Sequence, residues 1–449
     1  DGTSRFMKDQ RWNFFPSFSL GWNVARENFW KPLESVVNQF KLRGSWGELG
    51  NQNTSNLYPF YEILPVKSNS GNWLVNGGKT NTADIPSLVS TLLTWERVRS
   101  FNVGFDFGAF SNRLTGSFDY FVRKTVDMVG PAPQLPLVLG IAPAIVNNAD
   151  MKSYGFEIEL SWRDRIGEVD YGVKFNLADA QQKVVKYPNT TNAFNDWYAG
   201  KMSGEIWGYT SLGIAKTDEE MKEHLASLPN GGQNQLGNKW GAGDIMYADI
   251  NGDGKVDGGK GTLADPGDQR IIGNSTPRYN FGLVLDASYK GFDVSIFFQG
   301  VGKRDYAPIV GTNGAVFWGA VNNIWQSMAM EEHFDYFRPE GHPMGANLNG
   351  YYPRPDFTSN KNHQVQTRYL QDASYIRLKN LQIGYTLPKQ WINKLHINRC
   401  RVYVSGDNLW TGTSLASMFD PETLAAGDWG SGKTYPLSKV ISFGLNVNF

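Results

Sequence analysis

The run Ile441-Ser442-Phe443-Gly444-Leu445-Asn446-Val447-Asn448-Phe449 decides how the rest of the chain is read. Large apolar residues at the odd positions alternate with Ser, Gly and Asn at the even ones, and the chain stops on the aromatic. A period of two predicts a strand with one apolar and one polar face. Two readings fit such a strand. It is half-buried in a soluble sheet, or it belongs to a wall with lipid on one side and water on the other.

The same period recurs upstream. Trp12, Phe14, Pro16, Phe18, Leu20 and Trp22 share one parity, as do Phe40, Leu42, Gly44 and Trp46. Phe101, Val103, Phe105 and Phe107 are followed, across Ser111-Asn112-Arg113, by Leu114, Gly116, Phe118, Tyr120 and Val122. Phe156, Ile158, Leu160 and Trp162 are answered across Gly167-Glu168 by Tyr171, Val173, Phe175 and Leu177. Tyr279, Phe281, Leu283, Leu285, Ala287 and Tyr289 turn at Lys290-Gly291 into Phe292, Val294, Ile296 and Phe298. Tyr375–Leu387 and Arg401–Leu409 lead to the final strand. These are hairpin signatures. They predict roughly a dozen strands of about 9–11 residues, the length a tilted membrane strand needs. Between them, 48–94, 124–153, 180–277 and 300–374 read as long polar loops, whereas the other connections are short. That asymmetry is typical of membrane barrels. Long loops are uncommon in compact soluble domains. Residues 217–228 read as one short helix with a capping box inside a loop.

Composition narrows the choice. Lys+Arg and Asp+Glu both number 43 in 449 residues, so no bulk field recruits nucleic acid. Aromatics are 14%, with 15 Trp, 20 Tyr and 27 Phe, which suits aromatic girdles at two membrane interfaces. Mean hydropathy is −0.40, and no apolar run approaches the roughly 20 residues of a membrane helix. Cys400 is alone, so neither a disulfide framework nor a Cys-based zinc site is available. Its strand-like surroundings predict that it is buried. The chain opens on Asp1-Gly2-Thr3 with no export signal, which predicts a segment of a longer protein.

Several motifs, taken in order, resemble the C-terminal part of SusC/RagA-type TonB-dependent transporters of Bacteroidetes outer membranes. They are Pro16–Trp22 with Glu27-Asn28-Phe29-Trp30, then Phe40–Asn51, then Leu93-Thr94-Trp95-Glu96 with Asn102–Asp106 and Thr125-Val126-Asp127-Met128. Asp372–Asn380, Ser405-Gly406-Asp407-Asn408-Leu409-Trp410 and Tyr435-Pro436-Leu437-Ser438 complete the series before Phe449. The resemblance covers nearly all of residues 1–449. It implies an all-β fold, namely the C-terminal portion of a 22-stranded transmembrane antiparallel barrel with long extracellular loops. The plug, TonB box and N-terminal extension of that family have no counterpart in these residues. It further implies a multi-pass location in the outer-membrane lipid, a SusD-like surface lipoprotein as lid, and energy from TonB–ExbB–ExbD. The implied activity is import of an oligomeric nutrient, oligosaccharide first and oligopeptide second, by a protein that is not an enzyme. The alternative that stays open is a soluble β-rich surface glycan-binding module.

Individual sites are sparser. Asp249-Ile250-Asn251-Gly252-Asp253-Gly254-Lys255-Val256-Asp257 offers side-chain oxygens from Asp249, Asn251, Asp253 and Asp257. The Lys255 carbonyl takes the seventh loop position, and a Gly takes the sixth, where the chain turns sharply. The spacing suits calcium, although Lys260 stands where a bidentate Glu is usual. An Asx-rich turn closed by its own side chains fits equally. The five His residues are scattered, and no nucleophile, zinc or phosphate-loop pattern appears. Glu157 and Glu159 read as lumen residues. Aromatics in the long loops offer stacking surfaces for substrate: Trp197, Tyr198, Trp240, Trp318, Trp325, Tyr351, Tyr352 and Trp429. The segments 180–277 and 300–374 are the expected seat of the lid.

Overall fold

A computed structural model describes residues 1–449 except 55–56, 131–135, 137, 139, 142, 309–313, 320–328, 357–360, 394–395 and 425–433. Eleven strands form one antiparallel sheet in chain order. They are β1 (Ser17–Trp22), β2 (Val37–Asn51), β3 (Glu96–Ala109), β4 (Leu114–Val129), β5 (Asn147–Ile166) and β6 (Val169–Lys186). β7 (Arg278–Tyr289), β8 (Phe292–Lys303), β9 (Tyr375–Thr386), β10 (Arg399–Thr413) and β11 (Val440–Asn448) continue the sheet. Connections at one end are short: 23–36, 110–113, 167–168, 290–291 and 387–398. Those at the other end, 52–95, 130–146, 187–277, 304–374 and 414–439, are long. The free edges of β1 and β11 pair with no strand among the described residues.

Register carries the period of two across the whole sheet. Leu42, Phe105, Phe118, Ile158, Leu177 and Phe281 lie side by side on six consecutive strands. On the opposite face Lys41, Asp106, Ser117, Glu159 and Asn176 form the matching polar row. The apolar face is uncovered: Phe443 is 86% exposed and Leu20 79%. In water such a surface would be an aggregation site, whereas in hydrocarbon it is the proper solvent. The β7–β8 hairpin turns on Lys290 (φ 47°) and Gly291 (φ 90°). Two successive positive φ values match the twist of the strands they join. A Cβ on Gly291 would also meet the Thr386 carbonyl at 2.9 Å.

The strands differ from expectation in length. They run from 6 residues in β1 to 20 in β5, so parts of the expected loops 124–153 and 180–277 are strand. β4, β5 and β6 outrun the hydrocarbon and stand above it as paired ladder, which keeps their backbone groups bonded without help from water. Cys400 is buried within β10. The expected helix spans Asp218–Ala226 (α1), with the Thr217 hydroxyl accepting from the Glu220 N–H.

β9 contains an irregularity that the alternation shows. Arg377 and Lys379 face the polar side, but so do Asn380 and Gln382. Lys379 is an extra residue between the Phe298–Leu378 and Phe297–Asn380 pairs, and the pairing with β10 shifts at the same point. A bulge of one residue exchanges the two faces of everything after it. Ile376 and Leu378 before it, and Leu381, Ile383 and Tyr385 after it, therefore all face lipid. Deleting Lys379 leaves Ile376, Leu378, Leu381, Ile383 and Tyr385 in strict alternation, so that variant is expected to keep its lipid face and to assemble, whereas one Ala inserted after Leu381 is expected to point Ile383 and Tyr385 into the lumen and to abolish the heat-modifiable folded form in outer membranes. Lys379→Ala keeps the bulge and is expected to assemble, so normal assembly of the insertion variant would refute the register argument.

Candidate functional site

The polar face is a wall of paired charges. The Arg43 guanidinium donates to both oxygens of Asp106 (2.9 and 2.9 Å) and both of Asp119 (2.9 and 2.8 Å). This joins β2, β3 and β4, and fork-to-carboxylate pairing holds the planar groups in one orientation. Farther round, Arg401 of β10 pairs with Asp293 of β8 and donates to Gln382 of β9 at 3.0 Å. A groove of about 640 Å³ on this face is bordered by Asp106, Ser117, Glu159, Ser161, Lys174 and Asn176. Glu157 and Glu159 are therefore wall residues of a wet lumen.

At the long-loop end, one connection is tied to the wall. Arg377 of β9, only 4% exposed as a side chain, donates to Asp420 (2.7 Å), Glu422 (2.8 Å) and Thr411 Oγ1 (2.8 Å). Lys379 reaches Glu422 at 2.9 Å. Asp420 and Glu422 belong to the 414–439 connection, so that loop is fastened on the lumen side of β9. The bulge thus also serves this contact, because it lets Arg377 and Lys379 share the lumen with Gln382.

The largest hydrophobic core lies in the loops. Tyr247, Phe317, Trp318, Tyr352, Tyr369, Phe419 and their neighbours come from the 187–277, 304–374 and 414–439 connections. Phe317 meets Trp318 at 5.0 Å between centroids, and Trp318 meets Tyr369 edge-on at 4.9 Å. Edge-to-face pairs add about 0.5–1.5 kcal/mol each beyond their burial. An ion cluster locks two of the loops together. The fully buried Asp244 accepts from Lys361 Nζ (2.8 Å), Arg354 Nη2 (2.7 Å), Asn362 Nδ2 (2.9 Å) and the Gly241 N–H (2.9 Å). Lys361 is itself buried and sits 5.2 Å from the Trp240 ring centroid.

This arrangement redistributes the expected stacking aromatics. Trp318 and Tyr352 are each 2% exposed, inside the loop core. Tyr351 and Trp240 pack against that core. These four hold the loops together, and neither Trp318 nor Tyr352 presents a face to substrate. Trp197 and Tyr198 lie outside that core. Trp197 packs edge-on to Tyr187 at 5.9 Å, and the Tyr198 hydroxyl donates to Glu205 at 2.5 Å. Burial and that carboxylate push the Tyr198 hydroxyl well above its usual range. Trp325 and Trp429 lie outside the described residues.

The 249–257 loop is closed by its own side chains. Asp249 accepts from the N–H groups of Gly252 (2.6 Å) and Gly254 (2.8 Å). Asn251 accepts from the Asp253 N–H (3.0 Å), and Asp253 from the Lys255 N–H (3.2 Å). Asp257 is paired with the Lys255 ammonium at 2.5 Å. Asp268, fully buried, anchors the loop by accepting from Ile250 (2.7 Å) and Asp257 (2.8 Å). Among the described residues no three acidic, imidazole or thiol groups converge as a cation site. As arranged, these side chains bond one another and their own backbone, and the Lys255 ammonium pairs with Asp257.

Two outcomes follow for the loop core. Asp244→Ala removes the closest carboxylate of the buried Lys361 ammonium and leaves it Asp356 at 3.8 Å; breaking a buried pair in this way costs about 3–5 kcal/mol. Amide exchange is expected to accelerate in 238–247 and 352–366, with the β7–β8 ladder unchanged; uniform exchange would contradict the clamp. His363 packs 4.2 Å from the Trp318 centroid. Burial pushes its pKa down to about 4, only partly offset by Asp356. The folded loops therefore bind fewer protons than the unfolded chain. Stability is full above about pH 6.5 and falls as the pH drops toward 4. Tryptophan emission should report this loosening, and His363→Leu should remove most of it; an unchanged acid profile would refute the assignment.

The chain matches the TonB dependent receptor-like β-barrel family over residues 1–409. It is 29% identical over 479 residues to TonB-dependent receptor P3 of Formosa agariphila, covering 100% of this chain and 43% of that protein. It is 23% identical over 465 residues to TonB-dependent receptor SusC of Bacteroides thetaiotaomicron, covering 100% of this chain and 41% of that one. The solved RagAB peptide transporter superimposes with a TM-score of 0.73 at 23% identity, over 99% of this chain and 44% of that one. The chain thus spans under half the length of these relatives. The match displaces the soluble glycan-binding module and places the apolar face of the sheet in outer-membrane lipid. With a strand-by-strand barrel wall and a family match over nine-tenths of its length, the chain belongs to the TonB-dependent receptor β-barrel family.

Proposed function

We propose that this chain forms about half of the wall of an outer-membrane importer for an oligomeric nutrient. The observation that carries the reading is the continuous polar face, backed by an equally continuous lipid-facing one. Its strand edges would be completed by further strands of the same barrel, because an unpaired edge in hydrocarbon leaves a row of unsatisfied groups. Uptake would be driven through TonB–ExbB–ExbD acting on a plug, and the wall supplies binding rather than bond chemistry.

For the substrate, oligosaccharide is the first reading. The charges of the wall are largely paired: Arg377 and Lys379 balance Asp420 and Glu422, and Arg43 offsets one of the two carboxylates of Asp106 and Asp119. A wall of mostly paired charge suits a neutral oligomer. Oligopeptide is the second reading, favoured by the fold likeness to a peptide transporter.

A SusD-like lipoprotein lid completes the proposal, with its seat revised. The 187–277 and 304–374 loops bury Tyr247, Phe317, Trp318, Tyr352 and Tyr369 inside their own core. The uncovered apolar surface lies in 52–95, where Tyr61, Ile63, Leu64, Trp73, Leu74 and Ile85 are each more than half exposed. A permanent partner commonly covers over about 2,000 Å², and this loop offers the apolar area that such a contact buries.

Cells lacking the full-length protein are expected to lose growth on the cognate oligosaccharide as sole carbon source and to keep growth on its monosaccharide. The purified full-length protein is expected to leave the oligosaccharide intact. Loss of growth on oligopeptides alone would select the second reading, and cleaved product from pure protein would overturn both.

A further inference from the structure

The outer face of β3–β6 carries a row of four basic residues, of which Arg99 has a carboxylate partner among the described residues. Register places Arg99 opposite Lys124, Lys124 opposite Lys152, and Lys152 opposite Lys183. All four share the parity of the lipid-facing side chains: Phe101 and Phe105 on β3, Val122 and Phe118 on β4, Phe156 and Ile158 on β5, Phe175 and Leu177 on β6. Neighbouring strands are about 4.8 Å apart, so the row brings four cations within about 15 Å. Like charges directly opposite each other destabilise a sheet. An arrangement that repeats this across three strand pairs needs an anion.

Among the described residues the protein supplies one to Arg99 only. On this part of the face Glu48 is paired with Arg99 at 2.6 Å, and Asp127 with Arg97 at 3.1 Å. Asp150, two residues from Lys152, accepts from the Asp127 N–H at 3.0 Å. Lys124, Lys152 and Lys183 have no carboxylate within ion-pair distance among the described residues, and Lys124 is exposed. Lys152 lies 5.2 Å from the Tyr154 ring centroid.

Position identifies the anion. The next row toward the short turns is Trp46, Phe101, Val122, Tyr154 and Gln181, apolar or aromatic side chains of the interfacial kind on β2–β5. Lys124 lies ten residues on from Leu114. At the strand rise and tilt of a barrel this is about the height of the hydrocarbon band. The row therefore stands where the apolar band ends on the long-loop side, facing outward. We propose that Lys124, Lys152 and Lys183, flanked by Arg99, bind the phosphate of an outer-leaflet lipid headgroup whose acyl chains lie on the aromatic row below. Ammonium-to-phosphate contacts are charge-assisted, and continuity with the lipid-facing surface favours a lipid over a free anion.

The test uses the full-length protein purified in a neutral detergent, with native mass spectrometry and lipid A bearing its phosphates as probe. The wild type is expected to retain the phosphorylated lipid, and dephosphorylated lipid A to bind about tenfold more weakly or worse. Lys124→Gln/Lys152→Gln/Lys183→Gln is expected to lose the same factor while remaining heat-modifiable, and the triple Lys→Arg variant to retain binding. Should the triple Gln variant fail to assemble, Lys152→Gln alone is read against the wild type over a salt series, where a shallower salt dependence is expected. Equal binding of the two lipid forms, an unaffected Gln variant, or complete displacement by equimolar inorganic phosphate would each overturn the proposal.

Discussion

Hydrocarbon offers a backbone no hydrogen-bond partner, and the rest of this structure follows from that constraint. Every N–H and C=O inside the membrane must bond to a neighbouring strand. The eleven strands meet it with an antiparallel ladder that runs in chain order. Once the ladder is fixed, side chains have only two directions to point, and the period of two assigns them to lipid or to water. The bulge at Lys379 is tolerated because it keeps that assignment intact on both sides of itself.

Beyond the membrane the same chain obeys the physics of a soluble protein. Loops in water are free to bury apolar surface against each other, and the 187–277, 304–374 and 414–439 connections do so around Phe317, Trp318 and Tyr369. The buried Asp244–Lys361–Arg354 cluster fastens this core, and Arg377 fastens its edge to the barrel wall. Aromatic residues consequently have different uses by position. On strands they meet lipid, and in these loops they hold the cap together. Among the described residues the 52–95 loop leaves the most large apolar residues uncovered.

Much of this was legible without coordinates. The alternation at Phe101–Phe107, Phe156–Trp162 and Tyr279–Tyr289 located strands and assigned their faces, because a half-exposed strand writes its environment into successive residues. The Lys290-Gly291 turn and the Thr217 cap were readable for similar reasons, since each depends on residues close in sequence. The bulge in β9 was also written there, in the shift from Ile376 and Leu378 to Leu381 and Ile383. A single extra residue is recognisable as a bulge only once both neighbouring strands are seen to accommodate it.

The loops were not legible in this way. Trp318 and Tyr352 read as exposed stacking residues because a polar, Gly-rich context does not say which distant segments will cover them. Their burial is set by contacts between residues that lie in three different connections. The same holds for Arg377, whose partners are some 43 positions away, and for the basic row, whose members become neighbours only through register. The sequence by itself determined the strand faces and the membrane-barrel family, because these are local and periodic properties. Only the tertiary structure decided which aromatics are core, how the 249–257 turn is closed and where like charges meet, because those depend on non-local pairing.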